Sequence, residues 1–318
     1  MKQIDFWAVG QGDCTVLTLQ NGHFILIDVG PKASPVVQWF KRRAEQSAQV
    51  IDALVITHNH ADHCGALESL LKVPGLSISK VYAFDKDIYT STNEVKPFLN
   101  EMILRAKADE LVVRVPNSGD VVWDSEQRCL EIVHPGFAGR VEAKDDINRR
   151  SLVLCLKNKN SNISEFVWGG DAYYNAALPH FKENTELLMG PHHGAPQGPR
   201  PKLPQQCYKY LFVSLASNNS HGHPSRSYIR KHQKRGVNVA CTCMTKSCGL
   251  LNRHLKKPSL YGHIEPSGRE NYFCRGGMQY FLDSQTDSWI IDPEEKDYVD
   301  LKKELHKPLC VERKINVE

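Results

Sequence analysis

The stretch ITHNHADHCGAL occupies residues 56–67 and follows DALVIT (52–57), an apolar run that predicts a buried strand. Four of its side chains, crowded into six positions, are potential metal ligands: His58, His60, Asp62 and His63. Zinc motifs carried by helices space their histidines four residues apart, whereas H-x-H-x-D-H is tighter and indicates a loop at a strand end. Imidazole suits zinc, and a carboxylate joins zinc or prefers manganese. Because four ligands exceed what one open catalytic site takes from one loop, we predict two divalent ions, Zn²⁺ first and Mn²⁺ as the alternative.

The composition is that of a globular protein and excludes two other classes. Hydrophobic residues make up 41% of the 318 residues, yet no apolar run approaches the ~20 residues of a membrane-spanning helix. The N-terminal MKQIDFWAVGQGD lacks the apolar core of a signal peptide, so the ten cysteines are expected to be reduced thiols. We therefore expect a cytoplasmic protein without a membrane segment. A net charge of +4 does not by itself indicate a nucleic-acid partner.

Strands and helices alternate along most of the chain, which predicts layered α/β packing. Strands are predicted at 2–9, 14–19, 23–30, 52–57, 80–85, 111–116, 129–135, 151–158, 164–171, 186–194 and 210–216. Helices are predicted at 34–48, near 96–109, at 173–183 and at 225–236, where Gly236 is the stop signal. We place a domain at residues 1–240 and a C-terminal extension, packed on that domain, at residues 241–318.

On its histidine loop the chain resembles the metallo-β-lactamase superfamily, whose fold is an αββα sandwich of two mixed sheets between helical layers. The resemblance implies that His58 and His60 bind a first metal and that Asp62 and His63 bind a second. FILIDVG (24–30) matches the strand that precedes this loop in the family, which makes Asp28 a carboxylate that supports the loop. The alternative for Asp28 is a turn-forming residue before a glycine.

Two further ligands are implied by strand ends later in the chain. VWGGD (167–171) ends in Asp171, and the family takes the carboxylate that bridges both metals from a Gly-Asp at this place. MGPHHGAP (189–196) supplies His192 and His193 at the next strand end. Neighbouring residues in an extended segment point in opposite directions, so we favour His193 as the ligand and leave His192 for metal or substrate contact.

A more specific resemblance comes from the order of several motifs. These are AVGQGDC (8–14), the histidine loop, DDINRRSLVL (145–154), GGD, PHHGAP and SNNSHGHPS (217–225). They are similar to the hydrolase domain of the DNA-uptake protein ComEC and its free-standing relatives, over about residues 3–250. Asp13 in the first motif is a second supporting carboxylate, and His223 in the last is a candidate for metal or substrate contact.

The chain departs from the wider superfamily at the third histidine of the first metal. His134 is the only histidine between the loop and Asp171, and we interpret it as structural. The resemblance instead directs attention to Asp145, Asp146 or Asn148, of which we favour Asp146 and Asn148 as groups near the metals or the substrate.

The predicted reaction is hydrolysis of a phosphodiester. Two metals a few Å apart activate a bridging hydroxide and clamp the oxygens of an in-line displacement, with Asp62 orienting the nucleophile and with Asp171 and His193 as further catalytic ligands. A basic helix follows HGHPS and offers phosphate contacts, or a plain solvated surface: Arg226, Arg230, Lys231, Lys234 and Arg235. Tyr228 and His232 lie four residues apart on it and could stack on bases.

Nucleic acid or a nucleotide is therefore the expected substrate. The alternatives are a hydrolase of a non-nucleotide ester or amide, of glyoxalase or lactamase type, and a degenerate member that binds metal or partners without turnover.

The C-terminal region carries a weaker signal. A structural zinc site is one reading of four cysteines, with His254 or His263 as substitutes: Cys241, Cys243, Cys248 and Cys274. Because C-x-C-x4-C is not the usual zinc-knuckle spacing, packing of reduced thiols is the alternative. The charged tail 292–307 predicts a helix that docks on the domain or binds a protein partner.

Overall fold

The computed structural model describes residues 1–83, 112–136, 146–180, 184–195, 208–215, 223–242, 272–274 and 278–291. The predicted helices at 96–109 and 292–307 lie outside these residues, as do Asp145, Cys243, Cys248, His254 and His263. The side chains of Arg226, Arg230, Cys241 and Cys274 are outside the description too.

Seventeen strands and five α-helices are found in the described residues. The first strands are β1 Gln3–Phe6, β2 Thr15–Thr18, β3 Phe24–Ile27, β4 Gln49–Val55, β5 Leu76–Ile78, β6 Lys80–Tyr82, β7 Val112–Arg114 and β8 Val121–Asp124. The others are β9 Arg128–His134, β10 Val153–Asn158, β11 Ile163–Trp168, β12 Thr185–Met189, β13 Tyr208–Val213, β14 Asn238–Cys241, β15 Tyr272–Cys274, β16 Met278–Asp283 and β17 Ser288–Ile291. The helices are α1 Pro35–Ala44, α2 Ala61–Cys64, α3 Leu67–Leu71, α4 Tyr174–Ala177 and α5 Arg226–Gln233, and short 3₁₀ turns occupy Asn148–Arg150, Leu178–His180 and Pro191–Gly194.

The chain divides into two compact units, each built on one sheet. The first unit takes Met1–Pro116 and Met278–Leu305, and the second takes Asn117–Gly277 and His306–Glu318. The first sheet has the order β17-β16-β1-β2-β3-β4-β6-β7, with β5 also paired to β4. The second has the order β15-β14-β13-β12-β11-β10-β9-β8. The strands β16 and β17 thus extend the first sheet from within the segment that the sequence assigned to a C-terminal extension.

Both sheets are mixed, so the predicted α/β class with two mixed sheets is confirmed. In the first, an antiparallel run from β17 to β3 passes into parallel pairs β3–β4, β4–β6 and β6–β7. In the second, antiparallel β8 to β11 passes into parallel β11 to β15. Parallel strands end at the same sheet edge, and ligands of α/β proteins bind at this carboxyl edge.

The core of the first unit is aromatic. Helix α1 begins with Pro35 at its first position, a place that suits proline because its missing N–H would have no helical partner. Its buried face carries Trp39 and Phe40, which meet Phe24 of β3 in edge-to-face contacts, and Trp7 packs on Trp39. These contacts fix α1 beside β3 and thereby the position where β3 ends.

The second unit buries an aliphatic cluster between β10 to β14 and the helices α4 and α5. Its members include Val167 and Leu188 on neighbouring strands and Ile229 on α5. The predicted helix at 173–183 is shorter than expected: α4 ends at Ala177 and a 3₁₀ turn containing Pro179 follows, since proline cannot continue the α-helical hydrogen bonds. Among the described residues, no helix is both long and apolar enough to cross a membrane.

Candidate metal centre

The histidine loop of the first unit lies at the carboxyl ends of two parallel strands. Asp28 directly follows β3, and residues 56–60 follow β4 before α2 begins. Asp28 has a left-handed φ of 56°. Its N–H donates to the Val55 carbonyl (2.8 Å), and the N–H of Val29 donates to the His63 carbonyl (2.9 Å). The backbone therefore fastens the end of β3 to both ends of the loop, as the predicted loop at a strand end requires.

A buried hydrogen-bond chain through Thr57 orients two of the histidines. The Asp28 carboxylate accepts from the Thr57 N–H (2.8 Å) and the Thr57 hydroxyl (2.7 Å), and His63 Nδ1 lies 2.8 Å from Asp28 Oδ2. His58 Nδ1 lies 3.1 Å from Thr57 Oγ1. Because the only hydroxyl hydrogen goes to Asp28, Oγ1 accepts from His58 Nδ1–H, and the carboxylate accepts from His63 Nδ1–H. Both imidazoles are thereby assigned the tautomer that carries its lone pair on Nε2, the state a metal ligand needs.

The donor geometry fits a small divalent ion. His58 Nε2 and His60 Nδ1 are 3.0 Å apart, and the rings of His58 and His63 have centroids separated by 4.1 Å. Two nitrogens that bind one tetrahedral zinc lie about 3.3 Å from each other, given zinc–nitrogen bonds of about 2.05 Å. His58 and His63 are fully buried, so their lone pairs are withdrawn from bulk water. The residues thus fit the predicted role of metal ligands.

Asp62 opens α2, and the AVGQGDC motif holds its backbone. The Asp13 N–H donates to the Asp62 carbonyl (3.2 Å). Gly12 sits beside the same oxygen with φ +142°, and a Cβ at Gly12 would lie 2.0 Å from it. Only glycine fits this approach, which explains one glycine of the motif. The ligand atoms of Asp13, Asp28 and His63 lie within 4.8 Å of one another, and all three side chains are buried.

In the second unit, three neighbouring parallel strands bring a second set of polar groups to one edge. Asp171 follows β11, the turn Pro191–Gly194 follows β12, and Ser214 follows β13. The Asp171 N–H donates to Ser151 Oγ (3.0 Å) and the His192 N–H donates to the Gly170 carbonyl (2.8 Å). These contacts hold the Gly-Gly-Asp turn to both flanking segments.

The two adjacent histidines face the same carboxylate, and the extended geometry expected for them is wrong. They lie in a 3₁₀ turn with left-handed φ values of 48° for His192 and 52° for His193. His192 Nε2 lies 3.6 Å from one oxygen of Asp171 and His193 Nε2 lies 3.7 Å from the other. Opposite orientation holds only for extended backbone, so strand periodicity could not separate their roles.

The difference between these histidines lies at their other ring nitrogen. His193 Nδ1–H donates to the Ser214 carbonyl (2.8 Å), which assigns the lone pair to Nε2. His192 Nδ1 is buried with no hydrogen-bond partner in the described part of the chain. The fixed tautomer and the complete burial of His193 suit a ligand better than the environment of His192, whose side chain is 16% exposed.

Of the two groups favoured near the first metal, Asp146 is engaged by other residues of the second unit, and the Asn148 side-chain oxygen, within the described part of the chain, is not. Asp146 accepts from the Tyr173 hydroxyl (2.5 Å) and from the Arg149 N–H (3.0 Å), and this hydrogen bond to Asp146 raises the pKa of Tyr173. His134 Nε2–H donates to the Arg149 carbonyl (3.1 Å), a structural contact. Asn148 has a buried side-chain oxygen with no hydrogen-bond partner among the described residues. His223 lies near His192, with ring centroids 5.4 Å apart.

The basic helix is found, but one suggested base-stacking residue is not available. Lys231 on α5 and Lys234 just after it are exposed, and the Arg235 side chain donates to the Lys231 carbonyl (3.2 Å). His232 is completely buried, with Nδ1 2.5 Å from the Tyr208 hydroxyl. Burial, with help from the charges of Arg235 and Lys231, lowers the pKa of His232 to about 3. Stacking of His232 on a base is therefore wrong, since helical periodicity did not show which face was inward.

Sequence reasoning missed three supporting residues: Thr57, Ser151 and Ser214. Thr57 stands directly before His58, and a hydroxyl next to a metal motif was the available signal. Ser151 lies in DDINRRSLVL, a motif in which the acids and the asparagine are the more obvious candidates. Ser214 acts through its backbone carbonyl, which carries no sequence signal.

The chain is similar in sequence to known proteins. Residues 7–93 match the family model described as the Metallo-beta-lactamase superfamily. ComE operon protein 3 of Bacillus subtilis (strain 168) is 24% identical over 267 residues, which cover 76% of this chain and 32% of that protein. The chain thus spans about a third of the length of this curated relative.

Solved structures give weaker similarity. Unliganded yeast PDE1 aligns with a TM-score of 0.44 at 14% identity, covering 89% of this chain and 100% of that one. Zn(2+)-bound PqqB from Methylobacterium extorquens aligns with a TM-score of 0.39 at 8% identity, covering 59% of this chain and 71% of that one. Both TM-scores are low, so the similarity to this superfamily rests on the two sequence matches. Over residues 7–93 the chain is similar to the metallo-beta-lactamase superfamily.

Proposed function

We propose that this protein is a two-metal phosphodiesterase or nuclease that acts on DNA or another nucleic acid. The ligands of the two ions are the six residues predicted for this role: His58, His60, Asp62, His63, Asp171 and His193. The observation that carries the proposal is the fixed tautomer of His58, His63 and His193, each of which has Nδ1 engaged by Thr57, Asp28 or the Ser214 carbonyl. Three buried imidazoles held with Nε2 lone pairs are an arrangement for binding metal.

Zn²⁺ is the favoured ion because imidazole nitrogens dominate the set, and Mn²⁺ is the alternative because of its carboxylates. Divalent ions at such ligands lower the pKa of water and neutralise charge on transferring phosphoryl oxygens. The chain itself contributes rigidity: Asp28 holds Thr57 and His63, and the Asp13 N–H holds the backbone of Asp62. Asp62, only partly buried, is the carboxylate we assign to orienting the attacking water.

The choice of a phosphodiester rests on the order of the motifs and on the charge of α5. AVGQGDC, DDINRRSLVL, PHHGAP and HGHPS occur in the order found in the ComEC-like hydrolase domains. Lys231 on α5 and Lys234 in the turn that follows it are exposed cations, which suits contact with a phosphate backbone. A less basic surface is expected for a hydrolase of glyoxalase or lactamase type.

The experiment is a metal and substrate survey of the purified full chain. Bound metals are measured by mass spectrometry, and the protein is incubated with linear, circular and single-stranded DNA, RNA and cyclic dinucleotides in the presence of Zn²⁺ or Mn²⁺. We expect two metals per chain and cleavage of at least one phosphodiester. His58→Ala and Asp62→Ala should abolish cleavage. Asp52→Asn is the matched control, because Asp52 is a half-exposed acid of the same unit paired with His23.

Cleavage that survives both alanine substitutions would reject the assignment. Two bound metals with no cleavage of any phosphodiester would redirect the function to another ester or amide. A chain that binds no metal and cleaves none of these substrates would support the degenerate member considered above, in its form that binds partners without turnover.

A further inference from the structure

We propose that Tyr228 is a positioning residue that holds the turn Pro191–Gly194, and with it His193, against helix α5. The inference rests on the proposed function only where activity is the readout, since its main tests measure the turn and metal binding directly. Neither Tyr228 nor the buried polar groups behind it take part in the mechanism described above. All the residues concerned belong to the second unit.

The turn and the helix share one residue at their junction. The Ser225 N–H donates to the Gly194 carbonyl (3.1 Å). Ser225 Oγ accepts from the Tyr228 N–H (3.1 Å), which is the contact of a helix N-cap with the third residue of the first turn. A shift of the first residues of α5 is therefore expected to move Gly194, the residue next to His193.

Tyr228 also closes the turn sterically. Gly194 has φ +76°, and a Cβ there would lie 3.3 Å from Tyr228 Cδ1 and 2.7 Å from Pro224 Cβ. The turn thus packs against the Tyr228 ring, and no side chain fits at Gly194. His193, one residue earlier, donates its Nδ1–H to the Ser214 carbonyl (2.8 Å), so a shift of the turn would lengthen this hydrogen bond.

A series of buried hydrogen-bonded side chains packs against the face of Tyr228 that His232 contacts. The His232 ring packs on the Tyr228 ring with centroids 4.5 Å apart. His232 Nδ1 pairs with the Tyr208 hydroxyl of β13, and that hydroxyl pairs with Tyr174 of α4 at 2.7 Å. Because these partners sit on a strand and on another helix, they fix α5 against the core independently of the turn. Tyr228 thereby connects a rigid support to the turn that carries His193.

The ring of Tyr228, rather than its hydroxyl, is the part that holds the turn in place. The hydroxyl oxygen is buried and has no hydrogen-bond partner in the described residues. Tyr228→Phe keeps the ring and is expected to behave like the natural protein. Tyr228→Leu removes the ring against which the turn packs, so His193 is expected to shift. Small displacements of a catalytic group lower the reaction rate strongly.

The test compares Tyr228→Leu with Tyr228→Phe, using Lys209→Ala as a control at an exposed position of β13 in the same unit. Zinc affinity is measured by titration, and hydrogen exchange by mass spectrometry follows residues 189–195. For Tyr228→Leu we expect about a tenfold loss of zinc affinity and about tenfold faster exchange in this segment, by analogy with the ~10–100-fold effects of residues that support ligands. Where a substrate is established, kcat should fall while KM stays within twofold.

A lowered melting temperature with natural zinc affinity and natural exchange at residues 189–195 would overturn the proposal, because a purely structural residue gives that result. If Tyr228→Leu does not fold, Ser225→Ala decides, since loss of one N-cap is a milder change for the fold than loss of a buried ring. It should weaken zinc binding at least twofold, and unchanged affinity would overturn the proposal. Zinc binding and exchange remain measurable if no phosphodiester is cleaved, so the two proposals fail separately.

Discussion

The two units place their candidate ligands by the same geometric rule but support them differently. In the first, Asp28 and the histidine loop follow adjacent parallel strands, and in the second, Asp171 and His193 do so. The first set is oriented by a buried carboxylate that accepts three hydrogen bonds. The second is oriented by a serine hydroxyl and a backbone carbonyl. The comparison teaches that strand ends bring ligands together, while the local partners decide how strongly each is held.

The strongest test of this comparison removes one ligand from each unit. His63→Ala and His193→Ala should each lower zinc affinity by more than the ~10–100-fold that supporting residues cost. Metal content and affinity are measured by mass spectrometry and titration. His23→Ala serves as the control because His23 is half-exposed and paired with Asp52. If either ligand variant binds metal as the natural protein does, that unit's set is not a metal site.

The next effect distinguishes the two kinds of support. Asp28→Asn removes the charge that holds Thr57 and His63, and we expect a 10–100-fold loss of zinc affinity, about the size known for such partners. Ser151→Ala removes only the acceptor of the Asp171 N–H. We expect the free energy of zinc binding to weaken by about 1 kcal/mol, the size of one hydrogen bond. Equal effects of the two substitutions on zinc affinity would contradict the difference in support described here.

A third test concerns the glycine that lets AVGQGDC approach the first set. Gly12→Ala should lower the free energy of unfolding by about 1–3 kcal/mol, because the new methyl group would meet the Asp62 carbonyl in a strained backbone conformation. Gly22→Ala is the matched control, since Gly22 also has a positive φ (+85°) but nothing within 4 Å of the added atom. Urea unfolding measures both. Equal losses would show that backbone strain alone, without the contact, accounts for the effect.

The smallest effect concerns pH and is confined to the second unit. His232 has a folded pKa of about 3, below its ordinary value of 6.5, so the unfolded chain binds this proton more readily. Its contribution to stability is complete above pH 6.5 and is lost as the pH falls toward 3. Between pH 6.5 and about 5.5 the free energy of unfolding should drop by about 1 kcal/mol on this account. His232→Gln should remove that slope, whereas Tyr174→Phe should retain it, as urea unfolding at several pH values will show.

The histidine loop illustrates how far local pattern reaches. His58, His60, Asp62 and His63 could be named as ligands because their spacing and the preceding apolar strand are both local features. The role of Thr57 could not, because its hydroxyl acts only when Asp28, 29 residues earlier, is beside it. The roles of His192 and His193 could not be separated for a different reason. Their left-handed turn points both side chains at Asp171, whereas a strand would point them in opposite directions.

The sequence by itself determined the mixed α/β class, most of its strands and the candidate metal ligands, since ligand type, spacing and hydrophobic period are local properties. Only the tertiary structure decided which nitrogen of each histidine is held, that Gly12 must be small beside Asp62, and that β16 joins β1 in the first sheet. It also showed that His232, suggested as a residue that could stack on bases, is buried. These features depend on groups that are far apart along the chain, and only strand pairing and packing bring them into contact.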